Sequence, residues 1–268
     1  DPELSRGLGD VYKRQIQGLT EFLPVSSSGH LALFTAILGN DQLPAENLLF
    51  TILVHAATAI ATVIVFRNDI EAILSGMFKK EQPETRAFVG YVVVSMMPAV
   101  VIGLFFEDQI TALFDTNLAL VGAMLCLTAA LLFFTDKASS KEQPITYKVA
   151  LLIGIAQAIA ILPGISRSGA TIAVALLIGV SRPEAARFSF LMVIPLILGS
   201  MAKSILDQGA AAAITFDPLP MSVGFLAALA SGVLACKWMI ALVKRSKLRY
   251  FAIYCLLVGI TASVVAWI

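Results

Sequence analysis

Six stretches of this chain run without interruption through apolar residues for roughly 17–22 positions, about the length a helix needs to cross a bilayer core. They are Asn47–Phe66, Phe88–Phe106, Leu118–Phe134, Phe188–Leu206, Met221–Leu242 and Tyr250–Ile268. A water-soluble chain of 268 residues has no use for six such runs. Composition agrees: 58% of residues are hydrophobic and only 14% charged, against about a quarter charged in soluble domains. The expected fold is an all-α polytopic membrane protein.

Two further apolar segments are broken at their centres. Ile16–Leu38 is interrupted by Pro24-Val25-Ser26-Ser27-Ser28-Gly29-His30, and Val149–Val180 by Pro163-Gly164-Ile165-Ser166-Arg167-Ser168-Gly169. Two short apolar arms around a Pro/Gly/Ser break describe a helix–loop–helix that enters the membrane and returns. Such backbone survives at depth only when it is buried in protein or lines a wet cavity.

Loop charges set the orientation. Arg67, Lys79, Lys80 and Arg86 share one linker, and Lys137, Lys141 and Lys148 another; Arg182 and Arg187 follow the second broken segment, and Lys244, Arg245, Lys247 and Arg249 precede the last run. Gly39–Glu46, Glu107–Asn117 and Asp207–Pro220 contain no Lys or Arg. The positive-inside rule puts the first group in the cytoplasm and the second outside. The chain threads through those assignments only if neither broken segment crosses, the first dipping in from outside and the second from the cytoplasm. Three spans follow each, so residues 16–135 and 147–268 form halves of opposite orientation within one membrane domain. Gln17-x5-Leu23-Pro24-x-Ser26-Ser27-Ser28-Gly29 echoes Gln157-x4-Leu162-Pro163-x2-Ser166-Arg167-Ser168-Gly169, and Glu46-x3-Phe50-Thr51-x-Leu53 echoes Glu184-x3-Phe188-Ser189-x-Leu191. An inverted-topology repeat places its site near the midplane, where the broken helices meet. Asp1–Gln15 is polar where the second half carries apolar helix, and reads as an extraneous or untethered segment.

Ionisable residues at membrane depth are expensive and mark function. Glu21, His30 and Arg167 are such residues, each in or beside a break. Gln17 and Glu21, four apart, share a helical face; a carboxylate there can ligate a divalent cation or accept a proton. Ser26, Ser27 and Ser28 offer hydroxyls within a turn of an imidazole. Gly29 and Gly169 let backbone N–H groups approach an anion. Arg167 presents a planar fork suited to phosphate oxygens, ahead of a helix opening expected near Thr171, with Ser166, Ser168 and Thr171 as further donors. Taken singly, a triple serine marks a turn, a lone histidine is more often structural, and Glu21 could simply neutralise Arg167. A functionless buried ion pair seldom repays its desolvation, so their coincidence at depth favours chemistry. His55, within a full run, reads as a packing or supporting residue. Cys126, Cys236 and Cys255 lack pairing or metal spacing and read as small core hydrophobes. A net charge of +1 excludes a bulk electrostatic case for nucleic acid.

Gln17-Gly18-Leu19-Thr20-Glu21, with the serine–histidine stretch that follows, and Pro163-Gly164-Ile165-Ser166-Arg167-Ser168-Gly169-Ala170-Thr171 resemble the (E/Q)xxxE and PGxSRSxxT motifs of the bacterial undecaprenyl-diphosphate phosphatases of the bacitracin-resistance type. The resemblance runs from about Ile16 to the C-terminus. It implies an inner-membrane enzyme that removes the terminal phosphate of a C55 isoprenoid diphosphate, regenerating the lipid carrier for envelope polymers. It further implies Mg²⁺ or Ca²⁺ on Glu21 and Gln17, a site facing the periplasm or exterior, and six spans with two re-entrant segments. Gln17 departs from relatives with Glu at that position, which leaves one carboxylate fewer for a metal. Expected partners are membrane lipid and the polyprenyl diphosphate, with a homodimer as a candidate assembly.

Three chemical routes are open at this level. Ser27 attacks phosphorus with Glu21 as base, or with His30 as base, or His30 itself attacks. The competing class is a transporter or flippase of a phosphorylated lipid, since broken helices in inverted repeats are also transporter architecture. Glu21, Ser27 and His30 favour the enzyme, because moving a lipid needs no nucleophile.

Overall fold

The computed structural model describes residues 20–38, 48–79, 82–116, 118–136, 138, 141–208, 218–245 and 247–266. Asp1–Gln15, Gln17 and Gly39–Glu46 lie outside the described residues. The described chain contains no strand and twelve helices: α1 (Ser27–Leu38), α2 (Leu48–Val65), α3 (Arg67–Met77), α4 (Pro83–Phe105), α5 (Glu107–Thr116), α6 (Leu118–Thr135), α7 (Tyr147–Ile159), α8 (Arg167–Ile178), α9 (Arg182–Leu191), α10 (Val193–Gln208), α11 (Pro218–Lys244) and α12 (Leu248–Val265).

Five stretches are long and apolar enough to cross a membrane: Pro83–Phe105, Leu118–Thr135, Arg182–Leu206, Ser222–Lys244 and Leu248–Val265. Shorter apolar helical stretches cover His55–Val65, Tyr147–Ile159 and Arg167–Ile178. The chain is thus a multi-pass membrane protein. Large apolar side chains such as Leu104, Phe105, Leu234 and Leu257 point outward, as a lipid-facing surface requires.

The run expected at Phe188–Leu206 begins earlier, at Arg182, and pauses at Met192. Pro183 sits in the first turn, where its missing N–H costs nothing. Pro195 has no N–H to offer the Leu191 carbonyl four residues back, so the helix breaks between α9 and α10.

Two contacts position the site. Helices α6 and α12 cross glycine on glycine: a Cβ on Gly122 would lie 2.7 Å from the Gly259 carbonyl oxygen, and one on Gly259 would lie 2.8 Å from that of Gly122. Small residues at such a crossing let two membrane helices approach closely. An aromatic cluster then pins the arm before the first break. Phe22, 2% exposed, stands 6.1 Å from Phe190, which stands 5.9 Å from Phe66. With Phe22 fixed in that core, Glu21 beside it is held at the site.

Candidate active site

The first break begins where helix ends at Phe22 and the Val25 N–H turns back onto the Leu23 carbonyl at 2.8 Å. Ser26 adopts φ +64°, a left-handed conformation rare outside glycine. Its Oγ accepts the Gly29 N–H at 3.3 Å, capping α1 at its N-terminus. Ser27 is therefore the first residue of α1.

The second break is built alike. The chain leaves α7 at Ala160 and turns at Gly164, φ +94°. Ser166 then caps α8, its Oγ accepting the Gly169 N–H at 3.2 Å. Helix α8 opens at Arg167, four residues before the opening expected at Thr171, because Ser166 supplies the cap. The hydroxyl pairs match as well: Ser26 and Ser28 Oγ are 3.3 Å apart, and so are Ser166 and Ser168 Oγ.

The breaks interlock. A Cβ on Gly29 would meet Gly164 Cα at 3.2 Å, and one on Gly169 would meet Pro24 Cβ at 3.2 Å. Each helix start thus rests on the turn of the other break, which explains why both positions are glycine. Ser168 Oγ donates to the Leu23 carbonyl at 3.3 Å. Thr128 Oγ1 of α6 accepts the Ser166 N–H at 3.2 Å and shares its proton between the Gly164 carbonyl at 3.2 Å and the Met124 carbonyl at 3.1 Å.

Glu21, Ser27 and Arg167 meet where the helix starts converge. Ser27 Oγ donates to Glu21 Oε2 at 2.9 Å, while the Arg167 guanidinium binds Glu21 Oε1. These three side chains keep some exposure, 14% for Glu21 and 25% for Arg167. Ser26, Ser166, Ser168 and Thr171 are buried, and their hydroxyls bond within the protein. Thr171 Oγ1 donates back to the Arg167 carbonyl at 3.0 Å. Of the residues singled out from sequence, Glu21, Ser27 and Arg167 thus form the partly open surface, and the buried hydroxyls build the turns behind it. Ser28 keeps intermediate exposure beside Ser27.

His30 is buried. Its Nδ1 lies 2.8 Å from the Ser26 carbonyl oxygen; a carbonyl only accepts, so Nδ1 carries the proton. Its Nε2 lies 2.7 Å from the Tyr254 hydroxyl, and Cys255, next along α12, donates Sγ–H to the Pro24 carbonyl at 3.4 Å. His55 of α2 lies within electrostatic reach of Glu21. Tyr254 and Thr128 were not legible as site residues, since each sits singly in an apolar span.

The geometry offers a hydroxyl beside a carboxylate, a cation on that carboxylate's far side, and two helix N-termini directed at one place. Helix N-termini favour anions through unpaired N–H groups and the aligned backbone dipole. Glu21 is a hard oxygen donor of the kind Mg²⁺ and Ca²⁺ prefer, and among the described residues no group of three or more acidic, histidine or cysteine side chains gathers there.

A family model described as bacitracin resistance protein BacA matches residues 15–261. The chain is 52% identical over 252 residues to the undecaprenyl-diphosphatase of Christiangramia forsetii, covering 94% of this chain and 95% of that protein. It is 49% identical over 257 residues to the undecaprenyl-diphosphatase of Bacteroides fragilis, with the same coverage. Similarity extends to a protein of that name from Korarchaeum cryptofilum, 38% identical over 254 residues, covering 91% of this chain and 94% of the other.

Proposed function

The chain belongs to the bacitracin resistance protein BacA family, and from that premise we propose how its site works as an undecaprenyl-diphosphatase. The enzyme hydrolyses undecaprenyl diphosphate to undecaprenyl phosphate and phosphate, recycling the lipid carrier for cell-wall synthesis. The observation that carries the mechanism is the bond from Ser27 Oγ to Glu21 Oε2.

Ser27 is the nucleophile and Glu21 its base. Both ring nitrogens of His30 are engaged, so His30 is turned away from this role. In the first step Ser27 Oγ gives its proton to Glu21 and bonds to the terminal phosphorus, while the P–O bond to the bridging oxygen breaks. Glu21 returns the proton to the departing undecaprenyl phosphate. In the second step Glu21 takes a proton from water, whose oxygen attacks the phosphoserine. Phosphate leaves and Ser27 Oγ recovers a proton.

Arg167 contacts Glu21 through one amino group, and a guanidinium carries five N–H donors. The others are available to the phosphate oxygens and hold the terminal phosphoryl group beside Ser27. The N-termini of α1 and α8 add to the positive field. Glu21, with Gln17 of the preceding arm, would hold a divalent cation, which supplies charge neutralisation on the diphosphate.

Six spans and two re-entrant segments in an inverted repeat are the reading of the topology. It is supported by the matching caps Ser26–Gly29 and Ser166–Gly169 and by the loop charges. On it the chain lies in the inner membrane and opens its site to the periplasm. A flippase would need the anion site but not Ser27 hydrogen-bonded to a carboxylate.

The test is phosphate release from undecaprenyl diphosphate by the purified chain in detergent, with and without EDTA, beside Glu21→Ala and Arg167→Ala. EDTA-sensitive release by the parent chain, lost in both variants, is the expected result. Full release by the Glu21→Ala protein would remove the base and overturn the mechanism.

A further inference from the structure

The first break depends on a helix more than two hundred residues away in sequence. Tyr254 and Cys255 are consecutive on α12, and each reaches that turn: Tyr254 Oη to His30 Nε2 at 2.7 Å, and Cys255 Sγ to the Pro24 carbonyl at 3.4 Å. The two rings also lie nearly parallel, 5° apart with centroids 5.4 Å from each other. His30 Nδ1–H in turn donates to the Ser26 carbonyl at 2.8 Å, which also accepts the His30 backbone N–H at 3.2 Å. Ser26 is the left-handed residue, φ +64°, immediately before Ser27. A carbonyl direction that a non-glycine residue adopts only with strain is thus fixed by two bonds, one of them from an imidazole.

That imidazole needs fixing itself. A neutral ring with its proton on Nδ1 leaves Nε2 as an acceptor, and a buried acceptor without a partner is costly. The Tyr254 hydroxyl is the donor that satisfies it, and so selects the tautomer that can bond Ser26. A second partner that sets the tautomer and orientation of a functional histidine is a recurrent device.

We propose that Tyr254 is a positioning residue of the phosphatase reaction: through His30 it holds the left-handed Ser26 turn that presents Ser27 to Glu21. The assignment rests on the Ser27–Glu21 mechanism above, and Tyr254 touches neither substrate nor reacting atoms.

The test is Tyr254→Phe, which keeps the ring and removes only the hydroxyl. Expected is a fall in kcat of about ten- to a hundredfold, with KM within about twofold of the parent. In a His30→Gln background the same substitution should add little, because the hydroxyl acts through that ring. A second measurement is independent of turnover. The chain has two histidines, so ¹⁵N NMR of the histidine-labelled protein resolves His30 with His55 as internal reference. The parent should show Nδ1–H at His30, and Tyr254→Phe should move the His30 nitrogens while leaving those of His55 in place. An unchanged kcat with unchanged His30 signals would overturn the proposal, as would an equal loss in both backgrounds. Failure of the phosphatase reading would look different: no release by the parent chain, whatever stands at position 254.

Discussion

The two breaks are the same device carrying different chemistry. In each, a serine caps a helix by accepting the N–H of a glycine three residues on, a second hydroxyl lies 3.3 Å from the cap, and the glycine rests on the opposite turn. The residue after the cap differs: Ser27 in the first break, Arg167 in the second. That position projects from a helix N-terminus toward the meeting point. One helix start thereby presents a hydroxyl and the other a guanidinium, with Glu21 bonded to both. A difference at that single position gives two similarly built turns different side-chain chemistry.

The supports are exchanged in the same way. Thr128, on the last long helix before the second break, holds that break; Tyr254 and Cys255, on the last helix of the chain, hold the first. Helices α6 and α12 themselves pack together through Gly122 and Gly259. Each break is therefore held by a helix that lies far from it in sequence.

The largest effect should separate the two residues after the caps. Ser27→Ala is expected to lower kcat on the order of 10⁶-fold, as removal of a nucleophile does, while binding of undecaprenyl diphosphate persists. Binding and turnover measured on the same preparation check this. Persistent turnover without any trapped phosphoenzyme would return the nucleophile's role to His30. Arg167→Lys keeps the charge but loses the planar fork; kcat/KM should fall about 10²-fold, with KM carrying part of the loss. A pure kcat effect would mean that Arg167 serves the chemical step alone.

The supports can be set against each other next. Thr128→Val keeps the shape but leaves the Ser166 N–H and the Gly164 carbonyl without their partner. Stability should drop by about 1–3 kcal/mol, and KM should rise, because the turn that shifts carries Arg167. Tyr254→Phe instead acts on kcat, through the turn that carries Ser27. Thermal unfolding in detergent and steady-state kinetics read both changes. If the two substitutions alter the same kinetic parameter, the division of labour between the breaks is wrong.

Sequence revealed the breaks better than their supports, for a physical reason. Proline, glycine, serine and a charge within an apolar run conflict with an unbroken helix, so Pro24–His30 and Pro163–Gly169 declare themselves locally. Glu21, Ser27 and Arg167, which the structure brings together, stand out in sequence as polar groups within apolar segments. Tyr254 lies 224 residues from His30, and a lone tyrosine in an apolar span looks like any lipid-facing aromatic. Thr128 hides similarly among Ala and Leu. Reading the second turn as loop up to Thr171 came from treating Ser166-Arg167-Ser168 as irregular, whereas a serine followed three residues later by glycine is here a cap. The pause at Met192 was legible in Pro195 but masked by the continuous apolar run around it.

The smallest effect tests how each turn meets its need for unusual backbone. The second break uses a glycine, Gly164 at φ +94°, and its cap Ser166 is extended at φ −76°. The first has no glycine before the cap, and Ser26 takes both roles at φ +64°. Ser26→Gly should lose a few tenths of a kcal/mol from the cap and about 0.5–1 kcal/mol to unfolded-state freedom, and regain about 1 kcal/mol from relief of the left-handed Cβ clash, leaving stability nearly unchanged. Ser166→Gly has no clash to relieve. It loses the cap and adds unfolded-state freedom worth about 0.5–1 kcal/mol, so it should destabilise. Paired unfolding midpoints in one detergent decide between them. Equal losses at the two positions would mean that the bonds from His30 have already absorbed the strain at Ser26, and that the two turns, despite their different backbones, cost the protein the same.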